Sequence, residues 1–348
     1  MKVTMQMVAD RCGVSKAVVS RILNEDPTLR VKSSTRKKVL EMAEQLNYHR
    51  NINARALSLS RNGTHTKQIR IGYLSFSSQK HTGHPYFSRI IDGINEEAAR
   101  SNAEVLIGMG MDEAQKQSDY LLKNFAEDPL DGIILLGRLD DVLLRRVVSR
   151  IAKYVVCMDK GYDAKSDYVG TDASKSILLA LEHLYKVGHR EYGLLYGGDD
   201  LRRGACLQWL EEHELSVMPE WQINGEFTLS VAQSRVAEVL AEHKPPAAII
   251  AANDEMAIGC IRALQQAGYR VPEDVAVTGH DDILLAAYVE VPLTTVHVYK
   301  KELGRLATKM LLDRIQNRRQ TPISVEVASK LIRRDSCGHK LKKQKNNG

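Results

Sequence analysis

The chain has 348 residues, of which 43% are hydrophobic, so it is long enough for two or three packed domains and its composition argues against global disorder. Its longest apolar runs, such as residues 247–252, fall far short of the roughly 20 residues that a membrane-spanning helix needs, and its N-terminus lacks the apolar stretch of a secretion signal. The five cysteines are scattered and form no CxxC pair, so we expect free thiols in a reducing cytoplasm rather than disulfides or a zinc site.

The formal charge of +6 is concentrated near the N-terminus. Residues 1–68 contain 13 Lys and Arg against 5 Asp and Glu, whereas the rest of the chain contains 36 basic and 38 acidic residues. A basic module joined to a nearly neutral body predicts a polyanion-binding head. A solvated basic surface is the alternative, and the charge alone does not decide between the two.

Two short amphipathic helices are predicted over residues 5–12 and 16–23, with a glycine in the turn between them. Thr4 can cap the first helix and Ser15 the second, because a hydroxyl oxygen can accept a hydrogen bond from the free N–H groups of a first turn. This tight pairing predicts a helix-turn-helix, in which one helix braces the other in the major groove of DNA. An ordinary helical hairpin is the alternative. A third helix is predicted over residues 33–48.

The segment "VTMQMVADRCGVSKAVVSRILN" resembles the opening of the lactose/galactose repressor (LacI/GalR) family, and the resemblance continues along nearly the whole chain. It implies that Lys16, Ala17 and Arg21 contact base edges, since Lys and Arg can donate to guanine and Ala can touch the thymine methyl group. It also implies phosphate contacts or caps at four polar residues, namely Thr4, Ser15, Ser20 and Asn24. Val18 departs from the threonine that is common in the family, which removes one expected phosphate contact.

The next segment, "NYHRNINARALSLSRNGTHTK", resembles the family's linker, which forms a short hinge helix on operator DNA. A leucine of that helix inserts into the minor groove, and such apolar wedges kink DNA. The resemblance assigns this role to Leu57, with Ala54 packing beside it. Arg50 replaces the family's proline, so Asn51 or Asn53 must cap the helix. Apart from the resemblance, Leu57 would be a leucine of an ordinary amphipathic helix.

From residue 68 onward, apolar strand patterns alternate with helical patterns. Strands are predicted over residues 69–76, 103–110, 131–137 and 154–159, and a second series of helices and strands begins near residue 173. Strands that alternate with helices of about 10–15 residues predict parallel sheets. Two such series predict an α/β core of two doubly wound lobes, and the family resemblance implies that this core is like that of periplasmic binding proteins.

Polar side chains follow several of these strands directly. They are Asp159, Asn253 with Asp254, and the run His280, Asp281 and Asp282. Ligands of such folds bind at the carboxyl ends of the strands, here in the cleft between the lobes, where carboxylate and amide oxygens suit a polyhydroxylated ligand. The alternative for each residue is a helix cap, which is common after a strand.

The resemblance extends to the sugar-binding positions of the family. It implies ligand contacts for Phe87 in "HPYF", Asp159 in "CMDK", Arg202 in "LRRGACLQWL", Phe227 in "GEFTLS", Asn253 in "AAND" and Asp281 in "TGHDD". The aromatic residue at 227 would stack on a sugar face, and Asp281 would hold sugar hydroxyl groups. Ala205 replaces a family glycine, which leaves Arg203 as an alternative to Arg202.

Enzyme motifs are absent from the sequence, which has no GxGxxG after the first strand, no P-loop, no HExxH and no GxSxG. We therefore expect no catalysis, no cofactor and no metal. The predicted segments are a helix-turn-helix domain (1–49), a hinge and linker (50–68), a two-lobed ligand-binding and dimerisation core (69–338) and a basic tail (339–348). The tail has no leucine heptads, so no tetramerising coiled coil is expected.

Together these features predict a cytoplasmic, dimeric repressor of carbohydrate genes that binds pseudo-palindromic operator DNA and responds to a small sugar. The segments "DPTL", "HPYF" and "HDD" resemble those of regulators of galactoside genes, which implies a galactoside as the sugar. One alternative within the family is a regulator that answers to a purine or to a phosphoprotein corepressor. An alternative of another class is a sugar-binding transport protein of the same core fold, which would need a secretion signal and would lack the basic head.

Overall fold

The computed structural model describes residues 5–23, 31–32, 34–36, 38–39, 42, 68–75, 85–158, 162–198 and 201–338. The chain divides into an N-terminal unit, residues 1–67, and a core unit, residues 68–348. Most of the predicted third helix, the hinge and the basic tail lie outside the described residues.

The N-terminal unit begins with the two predicted helices, α1 (Met5–Cys12) and α2 (Lys16–Leu23). Gly13 ends α1 in the left-handed conformation, with φ at +69°, and Val14 N–H donates back to the Ala9 carbonyl over 3.1 Å. Ser15 caps α2, since its Oγ accepts from Val18 N–H at 3.3 Å. A small core joins these elements and consists of Ala9, Cys12, Val19, Ile22 and Val39.

The first lobe of the core unit is built on a sheet whose strands all run parallel. Its elements in chain order are β1 (Ile69–Ser75), α3 (Pro85–Arg100), β2 (Ala103–Gly110), α4 (Met111–Lys116), α5 (Ser118–Phe125), β3 (Leu130–Leu136), α6 (Val142–Ile151), β4 (Ala152–Cys157) and β5 (Asp167–Gly170). The predicted strand 154–159 is shifted to 152–157, because α6 runs directly into β4 with Ala152 already extended.

The second lobe repeats the alternation. Its elements are α7 (Ala173–Val187), β6 (Tyr192–Tyr196), α8 (Leu201–Glu212), β7 (Val217–Asn224), α9 (Leu229–Leu240), β8 (Ala248–Ala251), α10 (Asp254–Gln266), β9 (Ala276–Asp281) and β10 (Thr294–His297). The chain then returns to the first lobe through α11 (Lys300–Asn317) and β11 (Ser324–Glu326), and ends its second sheet with β12 (Lys330–Ile332).

The sheet orders are β11-β5-β4-β3-β1-β2 in the first lobe and β12-β10-β9-β8-β6-β7 in the second. The predicted fold class, a helix-turn-helix head and a two-lobed doubly wound core, is confirmed. Apolar side chains fill both faces of each sheet. Within the described ranges, no helix combines the length and apolar character needed to cross a bilayer.

Three short connections join the lobes, at residues 170–173, 297–300 and 326–330. The second connection leads into α11, which packs closely on α3 of the first lobe. A Cβ on Gly93 would collide with the carbonyl oxygen of Lys301, and a Cβ on Gly304 with that of Ile90. The start of α11 is therefore fixed to the first lobe, although it follows a strand of the second.

Candidate functional site

The carboxyl edge of the second sheet gathers four of the predicted ligand residues. Phe227 follows β7, Asn253 follows β8 and Asp281 ends β9, while Arg202 lies in the first turn of α8, after β6. Because these strands are parallel neighbours in one sheet, their ends lie on one side of the lobe. The second lobe therefore presents an aromatic ring, an amide, a carboxylate and a guanidinium along a single edge.

Phe227 sits in a strained loop that directs its ring over the end of β6. Glu226 and Phe227 both have positive φ values, +51° and +57°, which side chains other than glycine rarely adopt. Asn224 holds this loop, since its Oδ1 accepts from Gly198 N–H at 3.2 Å and from Glu226 N–H at 3.1 Å. A Cβ on Gly197 would overlap the Phe227 ring, so glycine is required beneath it.

Arg202, rather than Arg203, pairs with this ring. The Arg202 guanidinium carbon lies 5.3 Å from the ring centroid of Phe227, within cation–π range. Arg203 points elsewhere, because its Nη2 donates to Gln222 Oε1 at 2.8 Å and its guanidinium lies over Tyr196. The geometry favours Arg202 as the ligand-contacting arginine, and the contact itself stays a prediction.

Asn253 is a buried helix cap. Its Oδ1 accepts from Met256 N–H at 2.9 Å, and its Nδ2 donates to the Phe227 carbonyl at 3.0 Å. Asn253 therefore fits the alternative given for the residues that follow strands, namely a helix cap. A lone pair and one amide hydrogen remain outside these two bonds, so its role toward a ligand stays a prediction.

The end of β9, residues 280–282, forms what we call the β9 corner. Asp281 and Asp282 have φ values of +111° and +53°, and the Asp281 residue is only 6% exposed. His280 Nδ1 lies 2.9 Å from Asp281 Oδ1, and the ammonium group of Lys300 donates to the Asp281 carbonyl oxygen. Strain of this kind persists only where the surroundings hold it, and it is concentrated at functional sites.

Asp254 lies beneath the corner and is completely buried. Its Oδ2 accepts from Ile283 N–H at 2.7 Å, and its Oδ1 accepts from Thr295 Oγ1 at 2.5 Å. Burial, and then the nearby charge of Asp281, raise the pKa of Asp254 well above its usual value. Burial lowers the pKa of Lys300, although the carboxylates of the corner oppose this shift.

Asp282 differs from Asp254 in its partners. Its Oδ1 accepts from Arg334 Nη2 at 2.7 Å, and its Oδ2 lies 2.7 Å from His297 Nδ1. Burial acts to raise the pKa of Asp282, but the hydrogen bonds and charges of Arg334 and His297 outweigh it and hold this pKa below its usual value. Asp282 is therefore held as a carboxylate within the corner.

We expect the unfolding free energy of Asp254→Asn to rise relative to that of the wild type as the pH rises. A raised folded-state pKa means that the wild type loses stability from pH 3.8 up to that pKa, and the amide cannot ionise. The difference in unfolding free energy should grow by at most about 1.4 kcal/mol per pH unit in this window. Denaturant unfolding at pH 5 to 8 measures it.

Asp282→Asn is the matched control for this experiment. Because the pKa of Asp282 is lowered in the folded state, its carboxylate stabilises the fold at pH values above the unfolded-state pKa, and this stabilisation is lost in acid. The Asp282→Asn variant should therefore be destabilised at neutral pH. If the stability difference between Asp254→Asn and the wild type did not change with pH, the raised pKa of Asp254 in the folded protein would be contradicted.

In the first lobe, Phe87 lies half-buried in the first turn of α3 and packs edge-to-face on Tyr86, with ring centroids 5.2 Å apart. Its contact with a ligand stays a prediction. Asp159, the other first-lobe candidate, lies outside the described residues, as do Thr4, Asn24, Ala54 and Leu57 of the DNA-binding set.

The described DNA-binding candidates lie on and before α2. Ser15 serves as the cap of α2, and Arg21 is exposed in its last turn. Lys16, Ala17 and Ser20 belong to the same helix. The DNA contacts predicted for these five residues stay predictions.

Sequence reasoning missed two groups that support the ligand edge, namely Ser176 and Lys300, and it identified Asp254 only as a polar residue that follows a strand. Ser176 Oγ lies 2.8 Å from His280 Nε2, although 104 residues separate them. From the sequence, Lys300 is expected to be an exposed lysine at the start of a helix, but it is only 7% exposed. The strand-end positions gave a signal for Asp254 and for the acidic residues of "HDD", but no local pattern predicts contacts between segments as distant as those of Ser176 and Lys300.

Two family models match the chain. Residues 4–51 match the model described as bacterial regulatory proteins, lacI family, and residues 181–337 match the periplasmic binding protein-like domain. The first match covers the predicted helix-turn-helix, and the second covers most of the second lobe together with the returning segments.

Full-length relatives are found among curated repressors. The chain is 33% identical over 344 residues to the HTH-type transcriptional repressor MelR of Bacillus subtilis (strain 168), covering 95% of this chain and 96% of that protein. It is 32% identical over 342 residues to the HTH-type transcriptional repressor PurR of Proteus mirabilis (strain HI4320), covering 96% of each.

Solved structures with similar folds include two ligand-bound regulators. The transcriptional regulator CelR in its cellobiose complex superposes with a TM-score of 0.69 at 25% identity, covering 96% of this chain and 99% of that chain. The Lac repressor dimer bound to operator and the anti-inducer ONPF superposes with a TM-score of 0.68 at 25% identity, covering 97% and 99%.

Proposed function

The chain belongs to the lacI family of bacterial regulatory proteins, as a DNA-binding transcriptional repressor with a ligand-binding core, and we propose that a small neutral sugar bound beside Asp281 controls its affinity for operator DNA. A galactoside is the sugar class that we favour, and carbohydrate genes are the proposed target. A repressor acts on chromosomal DNA, so we propose that the protein works in the cytoplasm. The alternative of a sugar-binding transport protein is set aside, because the relatives that match over the full length are repressors.

One observation carries the proposal of a sugar, namely the combination of an aromatic ring and a buried carboxylate along one sheet edge. Phe227 offers a flat apolar face, which fits the C–H face of a sugar ring, and Asp281 offers an acceptor for hydroxyl groups. Asp281 Oδ1 already contacts His280, so Oδ2 is the acceptor that remains toward a ligand. The cellobiose complex of the similar regulator CelR supports a sugar for a core of this kind.

A thermal-shift panel on the full-length protein tests this proposal. A ligand that binds only the folded state stabilises it by about 2.7 kcal/mol at 100 times its dissociation constant. The panel comprises lactose, galactose, cellobiose, ribose, hypoxanthine and guanine. We expect a sugar to raise the melting temperature, with the galactosides strongest.

A purine is the second candidate effector, because the chain is nearly as similar to the repressor PurR as to MelR. A nucleobase could also stack on Phe227 and donate an N–H group to Asp281. A melting temperature raised by hypoxanthine or guanine, and by none of the sugars, would replace the sugar proposal with this one. A response to none of the six compounds would favour a protein corepressor.

We propose that α2 lies in the major groove of the operator. The proposed base contacts are Lys16, Ala17 and Arg21, and the proposed phosphate contacts are Thr4, Ser15, Ser20 and Asn24. The hinge would insert Leu57 into the minor groove with Ala54 beside it. The exposure of Arg21 in the last turn of α2 supports its access to DNA. The family match over residues 4–51 supports the other helix-turn-helix assignments, and the hinge assignments rest on the resemblance of the linker.

We further propose that the protein binds DNA as a homodimer and that a patch after the β9 corner contributes to the dimer interface. A one-turn helix, Leu284–Ala287, carries Leu284, which is 79% exposed, and Tyr288 follows it at 77%. Ala286 is buried and anchors the turn. Clusters of exposed large apolar side chains mark interaction surfaces, and Leu284, Leu285 and Tyr288 are all exposed within five residues of the chain. The similar Lac repressor is a dimer on its operator. A second copy is therefore the occupant that we propose.

The double variant Leu284→Asp with Tyr288→Asp should shift the protein from dimer to monomer. Two charges in a self-complementary interface are opposed by their own symmetry mates, and losing two apolar anchors costs about 2 kcal/mol or more each. Sedimentation velocity measures the change toward the 39.0 kDa chain mass. Leu143→Asp, an exposed leucine of α6 in the first lobe, is the matched control. A double variant that sediments like the wild type would contradict this interface.

A further inference from the structure

The carboxylate of Asp281 is held by a chain of two side chains that leads away from the proposed ligand position. His280 Nδ1 lies 2.9 Å from Asp281 Oδ1, and His280 Nε2 lies 2.8 Å from Ser176 Oγ. All three residues are buried, with exposures of 6% or less. Ser176 belongs to the first turn of α7, directly after the first connection between the lobes.

The hydrogen-bonding capacities of these groups fix the direction of the contact between His280 and Asp281. An ionised carboxylate only accepts hydrogen bonds, so the contact to Asp281 requires a hydrogen on His280 Nδ1. A neutral imidazole with that hydrogen has an acceptor at Nε2, which the Ser176 hydroxyl can satisfy as a donor. The donation from His280 to Asp281 is therefore fixed. The Ser176 hydroxyl has one hydrogen and two acceptors within reach, His280 Nε2 at 2.8 Å and the Ala173 carbonyl oxygen at 3.0 Å.

We propose that His280 is a positioning residue that fixes the side-chain rotamer of Asp281 for its ligand, a proposal that rests on the proposed function of Asp281. With Oδ1 held by His280, Oδ2 is the acceptor that faces an incoming hydroxyl group. No donor among the described residues reaches Oδ2 of Asp281. A preset carboxylate loses less conformational freedom on binding, so ligand affinity rises.

The main chain of the β9 corner is held independently of His280. The Lys300 ammonium group donates to the carbonyl oxygens of Asp281 and Asp282, the latter at 3.3 Å. Lys300 begins α11 and so follows the second connection between the lobes. Because the backbone has its own anchor, loss of the His280 contact should release the Asp281 carboxylate without unfolding the corner.

Histidine-selective ¹⁵N NMR on the full-length, ligand-free protein tests the proposal without an effector. The chain has 11 histidines, and the His280 signal is the one that disappears in His280→Asn. We expect a ring protonated at Nδ1. We also expect Ser176→Ala to keep this hydrogen at Nδ1 and Asp281→Ala to move it to Nε2. A wild-type ring with its hydrogen on Nε2 alone would overturn the proposal, because His280 would then donate to Ser176 and could not hold Asp281.

Ligand binding supplies the second readout, with lactose and cellobiose as the probes. Asn places its amide nitrogen where His has Nδ1, so His280→Asn should keep the dissociation constant within about threefold of the wild type. His280→Phe has no donor and should raise it at least tenfold. Equal binding by His280→Phe and the wild type would overturn the positioning role. If neither probe binds the wild type, the proposed effector class fails, while the NMR result still decides the role of His280.

Discussion

Deleting residues 1–67 is expected to abolish specific binding to operator DNA, by a factor of at least a thousand, while the core unit stays folded and still binds its effector. The deleted unit contains the helix-turn-helix and the net excess of basic charge, 13 basic against 5 acidic residues in positions 1–68. Phosphate contacts supply a large share of protein–DNA affinity, and each neutralised phosphate contributes about 0.9 to the salt slope. The hydrophobic core of each lobe consists of residues from the core unit, so the deletion removes none of its side chains.

Fluorescence anisotropy on a DNA duplex selected with the full-length protein measures this loss, at several salt concentrations. The full-length protein should show a steep fall of affinity with salt. The deletion variant should show no preference for the selected duplex, although a sugar should still raise its melting temperature. Specific binding retained by the deletion variant would mean that the core, rather than the N-terminal unit, reads the operator.

Asp281→Asn is expected to weaken effector binding by about 10- to 100-fold and to leave operator binding nearly normal. The amide keeps the shape of the side chain and tolerates the positive φ of this position. It removes the charge, however, and charge-assisted hydrogen bonds contribute about 1.5–3 kcal/mol each. Isothermal titration with the sugar that responds best in the thermal-shift panel measures the change.

Asp274→Asn is the matched control in the same lobe. Asp274 is an exposed aspartate whose pKa is lowered to about 2 by hydrogen bonds from Arg270. It lies just before β9, at the amino end of that strand, whereas the ligand residues follow the carboxyl ends. This variant should bind the sugar like the wild type. If Asp281→Asn also bound the sugar normally, Asp281 would serve only as part of the corner's structure.

Local patterns in the sequence predicted the elements well. Residues 103–110 form the strand that their apolar pattern predicts, and α1 and α2 have the predicted bounds. These features depend on neighbours within a few residues, such as Ser15 and the Val18 N–H group that it caps. Parallel strands that alternate with helices then leave few arrangements for a sheet.

The chemistry of the site could not be predicted to the same extent, because it depends on contacts between distant segments. Asp254 and Asp282 both follow buried strands, yet their pKa values shift in opposite directions. Complete burial decides the shift of Asp254, whereas Arg334 and His297 decide that of Asp282. The sequence likewise gives no sign that Lys300 would be buried against the carbonyl oxygens of the β9 corner.

The central claim is that a sugar beside Asp281 controls the affinity for operator DNA. An effector can shift that affinity only by its difference in binding to the two states of the repressor. The most direct measurement is the operator dissociation constant of the full-length wild type and of Asp281→Asn, with and without the sugar at a concentration that saturates the wild type. We predict a change of at least tenfold for the wild type and little change for Asp281→Asn. An equal change in both proteins, or no change in the wild type, would contradict the account.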